Sequence, residues 1–172
     1  QIVYSGMCYE NGTMFDDGTL LRLSETGFRW VCGDEYAGEW LKEQAKKKNF
    51  KVVIKNSTDQ INNLSVQGPN SRKILEKIIF TPPTQPTISE LQWFRFTICR
   101  LEELNGIPLI VSRTGYTGEL GYEVWCHPDH APQVWDKIIE AGKNEGLIPA
   151  GFGALDLLRI EAGLVLFGNE FD

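Results

Sequence analysis

An α+β fold, with antiparallel sheets carrying helices on one face, is what this sequence predicts. Three observations carry that expectation. Between Asn62 and Gly142 the patterned segments run β-α-β-β-β-α. Asn105–Gly106 is a strong hairpin signal between two strand-like runs, and a two-residue hairpin joins antiparallel strands. The run "WFRFTICRLE", residues 93–102, alternates apolar and polar positions with period two, as a half-buried strand does.

Taken in order, residues 1–33 are strand-rich. Ile2 to Tyr4 have the composition of a strand interior, and "TLLRLSE" and "GFRWVCG" are short β-type runs meeting at a turn over Glu25–Gly27. Glu35 to Lys48 has helical character, because Ala37, Trp40, Leu41 and Ala45 recur on one face. "FKVVIKN", residues 50–56, predicts a strand with an apolar centre, and "INNLSVQG" a second one. "PNSRKILEKII" predicts a helix with proline in its first turn. The prolines of "FTPPTQPT", residues 80–87, forbid regular structure. After the hairpin come the strands "IPLIVSR" and "GYEVWC", separated by a glycine-rich loop. Asp129 is placed to cap a helix whose Ala131, Val134, Trp135, Ile138 and Ile139 share a face. A last helix, about Ala154 to Ala162, ends at Gly163.

Composition narrows the functional classes. The chain has 172 residues and a net charge of −6, whereas a nucleic-acid partner calls for clustered Lys and Arg. The one basic run, Lys46 to Lys48, suits a solvated helix C-terminus. Cys8, Cys32, Cys99 and Cys126 are far apart, three of them inside apolar runs. That predicts reduced thiols in an intracellular protein, with no metal site, because His127 and His130 lack ligand spacing to any cysteine. No apolar stretch reaches the length of a membrane span and no signal peptide is visible. The expected location is the cytoplasm, or the mitochondrial matrix in a eukaryote. Gln1 is not an initiator methionine and "LFGNEFD" stops in a loop, so the chain reads as a piece of something longer.

No nucleophile–base pair, P-loop or dinucleotide turn is present. The chemical candidates are therefore carboxylates. In "MFDDG", Asp16 and Asp17 are adjacent, and in a strand they point to opposite faces. They are either solvated turn residues, or part of a buried strand in which a carboxylate needs a partner or a ligand. Glu123 lies mid-strand in "GYEVWC", either on a wet face or in a site, with Arg113 and Tyr116 flanking the preceding loop. Asp156 and Arg159, three apart on a helix, make an ion pair the simplest reading.

The blocks "YSGMCYENGTMFDD", "VQGPNS", "SRTGYTGELGYE" and "RIEAGLVLFGNEFD" together resemble the aminomethyltransferase family, the T-proteins of glycine cleavage. They follow the family's order over essentially the whole chain. Family members are about twice this length. The resemblance implies the middle of a T-protein-like folate-binding fold, with the C-terminal β-barrel domain absent. It divides the chain into 1–57, the first part of a folate-binding subdomain, 58–150, a ferredoxin-like α+β subdomain, and 151–172, a helix returning to the first.

The implied activity is tetrahydrofolate-dependent one-carbon transfer, in which an aminomethyl group passes to the folate and ammonia is released. The donor would be small or lipoyl-carried, the latter implying an H-protein-like carrier as partner. Carried over residue by residue, Asp17 matches the family's catalytic carboxylate and Glu123 the acid that grips the pterin. Tyr4 and Tyr116 match tyrosines lining the folate, and Arg113 joins them as a candidate beside the loop. A carboxylate suits each role, since it can accept two adjacent N–H donors or stabilise positive charge developing on nitrogen. On this resemblance the glycines of residues 115–121 mark a place where backbone passes close to a flat ligand.

One departure bears on the donor. Glycine cleavage enzymes read Gly-Ala-Arg-Asp where this chain has "GALD", with Leu155 in place of the arginine. That form resembles the folate domains of sarcosine and dimethylglycine dehydrogenases. A demethylating module of that kind, or a folate-binding protein without chemistry of its own, is therefore the alternative.

Overall fold

The computed structural model describes residues 1–170; the last two residues of "LFGNEFD" lie outside that range. The chain is α+β with antiparallel sheets, as expected, and divides into two compact units. One is Gln1–Thr58 with the segment from Val165 onward, and the other is Asp59–Leu164. The helix expected to return to the first subdomain is grouped with the second unit by its contacts.

In the first unit, β1 (Ile2–Cys8), β2 (Met14–Arg22) and β3 (Phe28–Cys32) form an antiparallel sheet in that order. The turn over Ser24–Gly27 is closed by the Gly27 N–H donating to Ser24 Oγ at 2.8 Å. A bulge between Met7 and Cys8 shifts the register so that Met7 faces Asp16 while Cys8 faces Met14. The bulge frees Phe15 to stack on Trp40 of helix α1 (Ala37–Lys47), with ring centroids 5.3 Å apart. Met7, Phe15 and Ala37 make this unit's small core.

The run "FKVVIKN" is not a strand. Residues 51–57 have no regular structure, and Phe50, Val52 and Val53 are exposed, Val53 by 97%. A strand needs a neighbour to take up its backbone N–H and C=O groups, and neither sheet pairs with this segment. Propensity without a ladder is not enough.

The second unit is a five-stranded antiparallel sheet in the order β4-β8-β7-β6-β5. Its strands are β4 (Asn62–Gln67), β5 (Ile79–Phe80), β6 (Phe96–Leu101), β7 (Pro108–Ser112) and β8 (Gly121–Cys126). Helix α2 (Ser71–Glu76) stops short of the expected range because Ile79 and Phe80 pair with Leu101 and Arg100 instead. In a ferredoxin-like unit a helix stands between the last two strands. Here β7 and β8 are joined by the loop 113–120, and helix α3 (Ala131–Gly142) follows β8.

Alternation sorts each strand's residues between two faces. Val66, Leu101, Val111, Tyr122 and Val124 point inward with Leu75 of α2 and with Val134 and Ile138 of α3, forming the main core. Trp135, expected on that apolar face, is 44% exposed. Asp129 is not the cap of α3. It sits in a short 3-10 turn, Pro128–His130, where its N–H donates to His127 Nδ1 at 3.3 Å. The helix begins two residues later, with Pro132, pre-set for a first turn, fixing its start. Helix α4 (Phe152–Glu161) ends near Gly163, whose φ of +71° is the left-handed value a helix terminus favours in glycine.

Glu145, after α3, ties down α2 through Lys73 at 2.7 Å and Lys77 at 2.6 Å. Hydrogen bonds from Lys73 first and Lys77 second hold its carboxyl below the ordinary glutamate range.

Two measurements check this architecture. Leu75→Ala, at a site with no exposure, should lower unfolding free energy by about 3 kcal/mol in urea melts, whereas Val53→Ala should change it by less than about 0.5 kcal/mol. The Glu145 contribution is present above the unfolded-state pKa of about 4.3 and is lost as pH falls through the lower folded value. Melting temperature should therefore drop more steeply below about pH 4.3 in the wild type than in Glu145→Gln.

Candidate functional site

The two adjacent aspartates of β2 have opposite fates. Asp16 shares the side of Met7 and is 1% exposed. Its Oδ1 accepts the Asp17 N–H at 2.8 Å and its Oδ2 accepts the Asp34 N–H at 3.1 Å. It therefore anchors backbone on both sides of the β2–β3 pair. Asp17 points to the other face and is half-buried, and its Oδ2 accepts a short hydrogen bond from the Tyr4 hydroxyl. Tyr4 is 53% exposed. The structure thus brings together two of the residues singled out from sequence, Tyr4 and Asp17.

Cys32, close to Asp16, has its thiol pushed up to about 12, chiefly by burial and then by the Asp16 carboxylate. Burial also drives Cys99 up to about 12. Both are protonated at neutral pH, which removes the nucleophilic form.

In the second unit Glu123 is half-buried on β8, opposite Ser65 of β4 and Ser112 of β7. Asn63 Nδ2 donates to its Oε1 at 2.7 Å, and the Thr114 hydroxyl donates a short hydrogen bond to its Oε2. Behind Thr114 lies Ser112 Oγ at 2.8 Å from Thr114 Oγ1, and behind that the Trp125 indole N–H, which donates to Ser112 Oγ at 3.0 Å. Thr114, Ser112 and Trp125 are all buried. Glu123 is neither a wet surface residue nor an unsupported charge.

The loop glycines have structural causes that differ from the expected one. A Cβ on Gly115 or Gly121 would lie 2.0 or 1.6 Å from Gln67 Oε1. The two glycines make the room in which the Gln67 amide crosses the loop base, its Nε2 donating to Ser65 Oγ at 3.1 Å and to the Tyr122 carbonyl at 3.1 Å. Gly118 has φ +74°, and a Cβ there would meet Ala162 at 2.5 Å. Close approach is indeed the reason for the glycines, but the approaching groups belong to the chain itself.

The remaining candidates differ in placement. Tyr122 is fully buried, and its hydroxyl accepts from Arg72 Nε at 3.1 Å. Tyr116 is half-buried in the loop. Arg113 donates to the Leu91 carbonyl at 3.2 Å, fastening the 91–95 segment to the loop. Arg159 is 2% exposed and bonds Asp156 at 2.8 Å, the helix ion pair expected from their spacing.

Asn63, Ser112, Thr114 and Trp125 were not singled out from sequence. Their signal was parity: Asn63 and Ser65, Ser112, and Glu123 and Trp125 occupy the same face of three neighbouring strands. Polar side chains on alternate positions of otherwise apolar strands mark a built polar face, but strand order is needed to see that these meet.

Comparison with known proteins gives the chain's family and its fold relatives. The GCVT N-terminal domain family matches residues 1–172, and the chain belongs to that family, that of the aminomethyltransferases. It is 52% identical over 170 residues to the trimethylamine-oxide aldolase of Ruegeria pomeroyi, covering 99% of this chain and 22% of that protein. It is 39% identical over 175 residues to the aminomethyltransferase of Alkaliphilus metalliredigens, covering all of this chain and 45% of that one. Its fold is similar to the glycine cleavage system aminomethyltransferase T of Bartonella henselae, with a TM-score of 0.75 and 26% identity, over 99% of this chain and 43% of that chain. The chain spans less than half the length of the curated relatives it matches.

The division of labour between the aspartates is testable by stability. Asp16→Ala removes the buried acceptor of two partly buried backbone N–H groups and should cost about 1–3 kcal/mol in urea unfolding. Asp17→Ala should cost under about 1 kcal/mol, because Tyr4, exposed, regains water.

Proposed function

We propose that this chain supplies the tetrahydrofolate-binding part of a one-carbon-transfer enzyme. The observation supporting the reading best is Glu123, a half-buried carboxylate held from both oxygens by neutral donors. A carboxylate offers about four acceptor positions, so two remain, one on each oxygen, for a ligand edge with two adjacent N–H donors. The 2-amino group and ring N–H of a pterin form such an edge, and the donor set fits it.

Bound tetrahydrofolate would supply the nitrogens that take up the one-carbon unit. In the first unit, Asp17 offers a carboxylate able to take or hold a proton at its Oδ atoms and to stabilise positive charge developing on nitrogen. Tyr4, donating to Oδ2, fixes its rotamer. In the second unit Glu123 anchors the pterin edge, with Tyr116 offering a flat face and Arg113 a cation beside the loop.

Two donor classes follow. One is an aminomethyl group on a lipoyl carrier of the H-protein type, as the aminomethyltransferase relatives suggest. The other is a methylated amine. It is favoured by the 52% identity to a trimethylamine-oxide aldolase, against 39% to an aminomethyltransferase, and by Leu155 at the usual arginine position.

Calorimetry with tetrahydrofolate, paired with a methylene-tetrahydrofolate assay, tests the assignment. Glu123→Gln should weaken tetrahydrofolate binding by roughly 10- to 100-fold. Asp17→Ala should lower turnover by at least about 100-fold with little change in affinity. Absence of tetrahydrofolate binding, or full turnover in Asp17→Ala, would overturn the reading. Aminomethyl-lipoyl carrier, dimethylglycine, trimethylamine N-oxide and methyl-sulfur donors assayed in parallel decide the donor.

A further inference from the structure

Resting on that reading of Glu123, we infer that Trp125, Ser112, Thr114 and Asn63 form a one-way donor chain that positions the Glu123 carboxylate for a paired N–H edge. These four are positioning residues, acting through Glu123.

The direction of the chain follows from counting hydrogens. An indole N–H can only donate, so the 3.0 Å contact runs from Trp125 to Ser112 Oγ. Thr114 has one hydroxyl hydrogen, and Glu123 Oε2 takes it, since an ionised carboxylate has none to give. Ser112 must then be the donor across its 2.8 Å contact with Thr114 Oγ1. The longer 3.5 Å approach of Ser112 Oγ to the Glu123 carbonyl is left without that hydrogen. Asn63 closes the other side, its amide donating to Oε1 at 2.7 Å.

Each link is therefore a donor aimed towards Glu123, and successive links polarise one another. The chain is also rigid. Ser112, Thr114 and Trp125 are 1%, 5% and 7% exposed, and Ser112 and Glu123 are register partners in the sheet. A carboxylate otherwise free to rotate is thus held by one donor on each oxygen, which leaves acceptor capacity on both. The ligand class that uses both positions is a planar ring bearing an amino group next to an N–H.

The test uses Thr114→Val, Thr114→Ser, the exposed-site Asn63→Ala, Glu123→Gln and the Thr114→Val/Glu123→Gln double variant. Urea midpoints establish that each is folded. Two readouts follow: affinity for tetrahydrofolate against a 2-desamino analogue, and the indole N–H resonance of Trp125.

Thr114→Val should weaken tetrahydrofolate roughly ten-fold or more, with less discrimination against the analogue, while Thr114→Ser stays within about two-fold of wild type. Asn63→Ala should behave like Thr114→Val, so the inference survives even if the valine variant misfolds. The double variant should be no weaker than Glu123→Gln within about two-fold, because Thr114 acts through Glu123. The Trp125 resonance should move in Glu123→Gln, three hydrogen bonds away.

Losses that add in the double variant, unchanged discrimination in both Thr114→Val and Asn63→Ala, or a fixed Trp125 resonance would each overturn the chain. If the wild type bound no tetrahydrofolate, the folate reading would fall. The Trp125 resonance would still decide whether the chain exists.

Discussion

The pleat of strand β8 is the constraint on which the second unit depends. Six consecutive residues must at once fill a core and present a carboxylate, and a period of two allows both. Tyr122, Val124 and Cys126 are buried in the main cluster, while Glu123 and Trp125 take the other face. A slip of one residue would place Glu123 among Leu75, Val111 and Val134 and put Tyr122 and Val124 outside. Core packing, at roughly 1.5–3 kcal/mol per buried side chain, therefore also sets the direction of the carboxylate. The same logic acts in β2, where Asp16 turns inward to bind backbone and Asp17 turns outward to meet Tyr4.

The glycine-rich loop is shaped by packing within its own chain. Gly115 and Gly121 accommodate Gln67, and Gly118 turns in the left-handed region beside Ala162. A side chain at Gly115 or Gly121 would have to displace Gln67, and one at Gly118 would meet Ala162.

Family membership and site geometry speak to different questions. The family match covers the whole chain, yet the relatives carry different names and are more than twice as long. Likeness of fold across such a family does not by itself assign a substrate, which depends on the groups at the site. Glu123 lies on β8, with Asn63 and Ser112 on the strands that flank it and Thr114 in the loop that follows β7. Leu155, on α4, is where this chain departs from the glycine cleavage wording.

Among the described residues, the sequence by itself determined the α+β class, seven of the eight strands, the antiparallel pairing of β6 with β7 across a longer connection than the expected two-residue turn, and the last helix. These signals are local: alternation, glycine and proline punctuation, and a helical stripe. It also singled out Asp17 and Glu123, through the resemblance of four blocks rather than through spacing. Residues 50–56 were read as a strand because apolar β-formers dominate them, but a strand is defined by its neighbour, and no sheet receives this one. Asp129 missed its cap for a related reason, since the 3-10 turn at Pro128–His130 moved the helix start past it. Only the tertiary structure decided that Ser112 and Thr114 meet a glutamate nine or more residues on, that Asn63 reaches the same carboxylate from sixty residues away, and that Gln67 explains two glycines. Those contacts run across strands, and strand order is a property of the whole sheet that no local pattern encodes.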